Sequence, residues 1–277
     1  MSRPPSGPAA GDSTGAEAWL RHLAERYAAD PAVEAITITG SHAGDYATAP
    51  SDVDLFVYTT GPVTSIRQCV AAELAAPDDH VGVGEVAFGD ADAWRHWQSR
   101  VWVDIAWWTC TWAEAELKAL LDDHRARVGY STAFWRSIRF GRPLYERTAW
   151  HVQLQARAGA PYPPALARAI IELNRPWLDG HPFSFRHQLA SAIGLGDVVS
   201  RNHRVAACIA SYFDIIFAAN RVLHPGEKKL VDIAERECGR LPLDMRVDVE
   251  DLVRTLDPLD SIDRMQPKLD EFLSSIT

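Results

Sequence analysis

Apolar and polar residues alternate in several segments of the first half of the chain, with the two-residue period that is typical of β-strands. The predicted strands are 33–39, 52–59, 81–88 and 101–109. Between them, apolar residues recur at helical spacing. The predicted helices of this half are 16–29, 64–75 and 113–124. The first half is therefore expected to contain a small sheet with flanking helices.

The strand pattern ends near residue 149, and only helical periods follow it. The predicted helices of this second half are 164–178, 185–201, 206–222, 228–237, 247–255 and 262–274. We therefore predict an α+β protein with a small mixed β-sheet domain followed by an all-helical C-terminal domain. The expected bounds are a disordered tail at 1–15, an α/β domain at 16–148 and a helical domain at 149–277.

Two acids stand at the start of the second predicted strand, where Ser51-Asp52-Val53-Asp54 leads into an apolar run. Side chains at i and i+2 of a strand share one face, so Asp52 and Asp54 lie close together. Two neighbouring carboxylates repel each other unless a cation lies between them. Asp104 is a third acid, placed within an otherwise apolar strand. If the two strands are neighbours, the three acids converge on a site suited to magnesium.

The turn after the first predicted strand supplies a candidate phosphate site. Gly40-Ser41 ends that strand, and glycine allows the backbone N–H groups to approach a phosphate closely. Gly40, Ser41 and Ser51 are therefore candidate nucleotide-binding residues. Glu85 competes with Asp104 for the role of third acid, but its glycine neighbours place it at an edge or a turn.

These residues resemble the motif of the nucleotidyltransferase superfamily, in which a Gly-Ser turn, an Asp-x-Asp pair and a later strand acid follow in this order. The superfamily includes aminoglycoside and lincosamide nucleotidyltransferases and polymerase-β-like enzymes, and the motif-level match covers residues 36–109. The resemblance implies that Asp52, Asp54 and Asp104 bind magnesium and that the Gly-Ser turn binds a triphosphate. It also implies that the helical domain closes over the nucleotide. The segment 41–51 departs from the family because it lacks the arginine that many members have there.

The helical half contains further candidates. The chain has four lysines, and two of them, Lys228 and Lys229, are adjacent at a predicted helix start. They are expected either to contact the β- and γ-phosphates or to form an ordinary solvated pair. This segment and the earlier GYSTAFW segment also resemble nucleotidyltransferase-like proteins of bacteria. Asp214 lies in a nearly all-apolar helix, where it needs a partner such as Arg221 or His187, or lines the substrate cleft.

Composition narrows the class of partner. A net charge of −9 and a pI near 5.6 exclude the basic footprint of a protein that binds long nucleic acid. The four cysteines are widely spaced, the N-terminus has no apolar signal region, and no apolar run is long enough to span a membrane. We therefore expect a cytoplasmic protein with free thiols. Most tryptophans are expected in the core or between domains.

The predicted function is magnesium-dependent transfer of a nucleoside monophosphate, AMP from ATP, to a hydroxyl of a small molecule. Asp104 either binds the metal or accepts the proton of the acceptor hydroxyl. An acidic cleft would suit a cationic acceptor. The alternative is a non-catalytic or protein-directed member of the superfamily, either an antitoxin-like module or a protein adenylyltransferase. An enzyme of polymerase or tRNA-end type is disfavoured by the acidic pI.

Overall fold

The computed structural model describes residues 13–40, 52–85, 89–255 and 257–276, with the backbone alone for 13–17. Most of the predicted tail, together with Ser41 and Ser51, lies outside these residues. The first helix, α1 (Ser13–Ala28), begins within the last residues assigned to that tail.

Six strands form one mixed sheet. They are β1 (Val33–Thr39), β2 (Asp52–Thr59), β3 (Val81–Glu85), β4 (Ala91–Arg95), β5 (Trp102–Thr109) and β6 (Arg142–Glu146). The strand order is β3-β4-β5-β2-β1-β6. Only the β2–β5 pair is parallel within the described sheet, and the other neighbours are antiparallel. This sheet and the helical second half confirm the predicted α+β class.

Helices connect and follow the strands. They are α2 (Thr64–Leu74), α3 (Cys110–Leu121), α4 (Ala133–Phe140), α5 (Trp150–Ala158), α6 (Pro164–Arg175), α7 (Phe185–Gly194), α8 (Val198–Ala219), α9 (Leu230–Glu237), α10 (Met245–Arg254) and α11 (Leu259–Ser274). A short π-helical turn, Pro176–Gly180, follows α6. Within the described residues, no helix combines the length and the apolar character needed to cross a lipid bilayer.

The contacts divide the chain into two compact units that are interleaved in sequence. The first contains the described residues up to Ala115 and Ser137–Gly159, and the second contains Glu116–Arg136 and Ala160–Thr277. The single boundary expected after residue 148 differs from this division. Residues 137–159 join the first unit because β6 pairs with β1. Residues near 129–131 join the second because Asn174 and Asp214 accept hydrogen bonds from their backbone.

Two strands and two helices were absent from the sequence prediction. No element was predicted at residues 89–99, where β4 forms, or at residues 125–163, where α4, β6 and α5 form. The two core-facing residues of β4 are Asp92 and Trp94. An acid at a core position hides the alternation that marks a strand, and five residues give little pattern to detect.

The core of the first unit lies on one face of the sheet. Alternate residues of β2 and β5, such as Leu55 and Ile105, pack with Leu23 and Tyr27 of α1 and with α2. The opposite face carries the half-buried positions of the same strands, including all three candidate acids. Burial of the first face therefore fixes the direction of the acids on the second.

The second unit has its own core, centred on α8. Its buried residues include Tyr212, Phe213 and Phe217, which pack with the surrounding helices. The predicted helix at 185–201 is wrong, because α7 ends at Gly194 and α8 begins at Val198. Gly196 between them has φ +65°, and the Asp197 side chain caps α8 by accepting from the backbone N–H groups of Val199 and Ser200.

Candidate functional site

The parallel pairing of β2 and β5 places two of the predicted acids side by side. In this register Asp54 is opposite Asp104, and Asp52 is opposite Trp102. Neighbouring strands lie about 4.8 Å apart, so the Asp54 and Asp104 side chains start from adjacent backbone positions on one face. Asp52 lies on the same face, two residues before Asp54. The strands that carry the acids are therefore neighbours, as the predicted site requires.

Gly40 lies directly against the Asp54 carboxylate. Its φ is +66°, and a Cβ atom added to it would be 2.1 Å from Asp54 Oδ2. The pairing of Thr39 with Asp54 explains this approach, because it brings the end of β1 to the start of β2. Glycine is required here for two separate reasons: its left-handed backbone and the space that the carboxylate takes.

Trp102 contacts Asp104 in a way that the sequence analysis missed. Its indole Nε1–H donates to Asp104 Oδ1 at 2.9 Å. The two residues are i and i+2 on β5, so they share a face of the sheet. That spacing was visible in the sequence, but the tryptophan was assigned to packing.

The carboxylates suit one kind of metal site. Among the described residues, no three His, Cys, Asp or Glu side chains are grouped closely enough to hold a metal ion by themselves. Asp52, Asp54 and Asp104 therefore do not form a closed three-ligand cage. Magnesium is commonly bound through one or two carboxylates, with phosphate and water completing its coordination. Carboxylates from Asp52, Asp54 and Asp104, which share one face of the sheet, would suit a magnesium ion bound in that way.

The other predicted nucleotide-binding residues are only partly described. Ser41 and Ser51 lie outside the described residues, so nothing follows about their contacts. Lys228 and Lys229 belong to the second unit, where both are exposed in the turn before α9. Their contact with phosphate stays a prediction.

Glu85 occupies a different part of the sheet from the three aspartates. It is an exposed residue on β3, the strand at the far edge, and it pairs with Ala91 of β4. In the sheet, β4 lies between β3 and β5. The acid placed beside Asp54 is therefore Asp104.

A buried acid that the sequence analysis passed over has a structural role. The Asp92 carboxylate is fully buried and accepts hydrogen bonds from Arg67, from Trp107 Nε1 and from the Gly84 backbone. Arg67 Nη2 lies 2.6 Å from Asp92 Oδ1. This group joins α2 to the helix-covered face of the sheet, opposite the candidate site.

Asp214 has partners other than those predicted. Its carboxylate accepts from Ser131 Oγ at 2.7 Å, from the Ser131 backbone N–H at 3.1 Å and from Asn174 Nδ2 at 3.4 Å. The expectation of a contact with Arg221 or His187 is therefore corrected. Burial raises the pKa of Asp214 to about 7, while the hydrogen bonds from Ser131 and Asn174 oppose the rise. The group anchors the segment that follows α3 within the second unit.

Comparison with known proteins adds one likeness in structure. A solved structure described as a nucleotidyltransferase-like protein from Exiguobacterium sibiricum 255-15 aligns with 94% of this chain and 75% of its own, at 14% identity and a TM-score of 0.44. No protein-family model matches the chain, and no match was found among the curated proteins. At that identity and TM-score the likeness assigns no activity.

Proposed function

We propose that this chain is a magnesium-dependent nucleotidyltransferase that transfers AMP from ATP to a hydroxyl group of a small molecule. The observation that supports this most is the register of β2 and β5, which pairs Asp54 with Asp104. The approach of Gly40 to the Asp54 carboxylate adds to it, because it places the end of β1, where the sequence predicts a phosphate-binding turn, directly beside the paired acids.

The reaction forms a bond between the acceptor oxygen and the α-phosphorus and breaks the bond from that phosphorus to the bridging oxygen of pyrophosphate. Asp52 and Asp54 would hold the magnesium that accompanies the triphosphate. Asp104 would either share that metal or accept the proton of the acceptor hydroxyl. Magnesium held by these carboxylates would supply positive charge to the phosphate oxygens. The contribution of the protein is to orient these carboxylates on rigid, paired strands.

The net charge of the chain indicates what size and charge of acceptor molecule it can bind. A net charge of −9 disfavours a long polyanion and favours a small acceptor, including a cationic one. A nucleotide is an exception among anions because it arrives with its own magnesium. The acceptor is therefore proposed to be a small hydroxylated molecule.

Calorimetric titration with ATP, with and without magnesium, tests the nucleotide site directly. The variants are Asp54→Asn and Asp104→Asn, and Glu85→Gln is the matched control because it removes an exposed acid from the same sheet. We expect magnesium-dependent binding by the wild type and the control, and binding at least about tenfold weaker in both aspartate variants, as for loss of a charge-assisted contact.

Other results of this titration would contradict the proposal or change the residue assigned as the third acid. A wild type that binds no magnesium–ATP would overturn the proposal. Loss of binding in Glu85→Gln, but not in Asp104→Asn, would assign the third acid to Glu85. If binding is confirmed, pyrophosphate release with hydroxylated small molecules as acceptors tests transfer. Labelling of a protein substrate in their place would indicate a protein adenylyltransferase.

A further inference from the structure

The indole of Trp102 is held on two sides. Its Nε1–H donates to Asp104 Oδ1 at 2.9 Å, and the guanidinium carbon of Arg95 lies 5.5 Å from the centre of its ring. Arg95 and Trp102 are paired across β4 and β5, so the contact between them arises from the register of the sheet. The contact with Asp104 arises within β5, because residues i and i+2 of a strand share one face. The ring is therefore fixed between a cation and the candidate acid.

Arg95 is itself held in place. Its Nε lies 2.9 Å from Asp79 Oδ2, and its Nη1 donates to the Arg100 carbonyl oxygen at 2.9 Å. Arg100 in turn donates from Nη2 to the same Asp79 carboxylate at 2.9 Å. A chain of contacts thus runs from Asp79 through Arg95 and Trp102 to Asp104, entirely within the first unit.

An indole N–H is a donor only, so it orients one oxygen of the Asp104 carboxylate. Groups that hydrogen-bond to a ligating residue in this way fix its orientation and commonly affect metal affinity by about 10- to 100-fold. A purely structural role for Trp102 would be filling space beside the strand, and a phenyl ring would serve that role nearly as well.

We propose that Trp102 is a positioning residue for Asp104, and that Arg95 and Asp79 hold its indole in the required orientation. This inference rests on the proposed function for what Asp104 binds. Trp102 is not expected to contact the metal. Its effect is exerted through the carboxylate alone.

Nuclear magnetic resonance of the tryptophan indole groups tests the contact without any turnover. Trp102→Phe and Trp97→Phe each remove one indole signal and so assign it. Trp97 is a good control because it is 48% exposed and lies close in sequence, in the turn that joins β4 to β5. We expect Asp104→Ala, and separately magnesium with a non-hydrolysable ATP analogue, to shift the Trp102 signal and leave the Trp97 signal in place.

Direct measurement of Mn²⁺ affinity, with Mn²⁺ as a probe for magnesium, tests the consequence. We expect Trp102→Phe to weaken Mn²⁺ binding by roughly 10-fold or more and Trp97→Phe to leave it unchanged. In an Asp104→Ala background, Trp102→Phe should have no further effect, since the two residues act as one unit. The remaining indole signals report whether each variant is folded.

The outcomes separate the two proposals. A folded Trp102→Phe variant with the Mn²⁺ affinity of the wild type would overturn the positioning role and leave the nucleotidyltransferase proposal intact. An additive effect in the Asp104→Ala background would also overturn it. A wild type that binds neither Mn²⁺ nor magnesium–nucleotide would overturn the proposed function and, with it, this inference.

Discussion

At the scale of single residues, Gly40 is the position with least freedom in the candidate site. A side chain there would meet both a left-handed backbone at φ +66° and the Asp54 carboxylate at 2.1 Å. Because Thr39 and Asp54 are paired, an added side chain would displace the Asp54 carboxylate from its position, and the left-handed backbone would remain strained. The position of the Asp54 carboxylate thus depends on a neighbouring residue without a side chain.

We predict that Gly40→Ala weakens magnesium–ATP binding at least as strongly as loss of the Asp54 charge. The displaced carboxylate loses its place beside Asp104, and the left-handed backbone adds a cost of about 1–2 kcal/mol in the free energy of unfolding. Gly61→Ala is the matched control, since an added Cβ there would meet no atom within 4 Å. Calorimetry and thermal unfolding of both variants check the prediction, and equal binding by Gly40→Ala and Gly61→Ala would contradict it.

At the scale of elements, the buried group around Asp92 connects α2 with the sheet. Arg67 approaches Asp92, which is fully buried, and Asp90, which is half exposed. Breaking a buried ion pair leaves an uncompensated charge, whereas an exposed pair contributes little. Removal of Asp92 should therefore lower the free energy of unfolding more than removal of Asp90, although both contact Arg67.

We predict that Asp92→Ala lowers the free energy of unfolding by about 3–5 kcal/mol, because Arg67 is left buried without its main partner. Trp107 Nε1 and the Gly84 N–H lose their acceptor in the same variant. Asp90→Ala should cost less than about 1 kcal/mol. Urea unfolding of the two variants measures the difference, and similar losses in both would show that burial of Asp92 is not the cause.

The same elements show what the sequence could and could not predict. β1, β2 and β5 were predictable because their core positions are apolar, and Asp54 and Asp104 stood out as acids on such strands. β4 was missed because one of its two core positions is an acid, Asp92, whose partner Arg67 is 25 residues away. Long-range pairing of this kind has no local pattern. The Trp102–Asp104 bond was local, but tryptophan in an apolar strand gave no reason to expect a donor.

At the scale of the whole molecule, the two units have separate cores, and the second contains two buried titratable groups with opposite effects. Burial raises the pKa of Asp214 to about 7 and lowers the pKa of His224 to about 3. His224 has a buried Nε2 that finds no partner among the described residues. Each group is therefore held in its neutral form near pH 5.

The direction of each pKa shift determines whether its contribution to stability rises or falls with pH. The folded state binds the Asp214 proton more tightly than the unfolded chain does, so this contribution to stability is lost as pH rises from about 4 to 7. The unfolded chain binds the His224 proton more tightly, so that contribution is gained as pH rises from about 3 to 6.5. Between about pH 4 and 6.5 the two partly cancel in the wild type.

We predict that Asp214→Asn removes the contribution of Asp214 to the pH dependence of the free energy of unfolding and leaves that of His224. The free energy of unfolding of the variant, relative to the wild type, should rise with pH between about 4 and 7, by up to about 1.4 kcal/mol per pH unit, and stay level above that range. Urea unfolding at a series of pH values measures the difference. Glu172→Gln, which changes an exposed acid in the same unit, serves as the control and should give a small, nearly constant difference. A pH-independent difference for Asp214→Asn would mean that Ser131 and Asn174 stabilise the charged carboxylate enough to offset its burial.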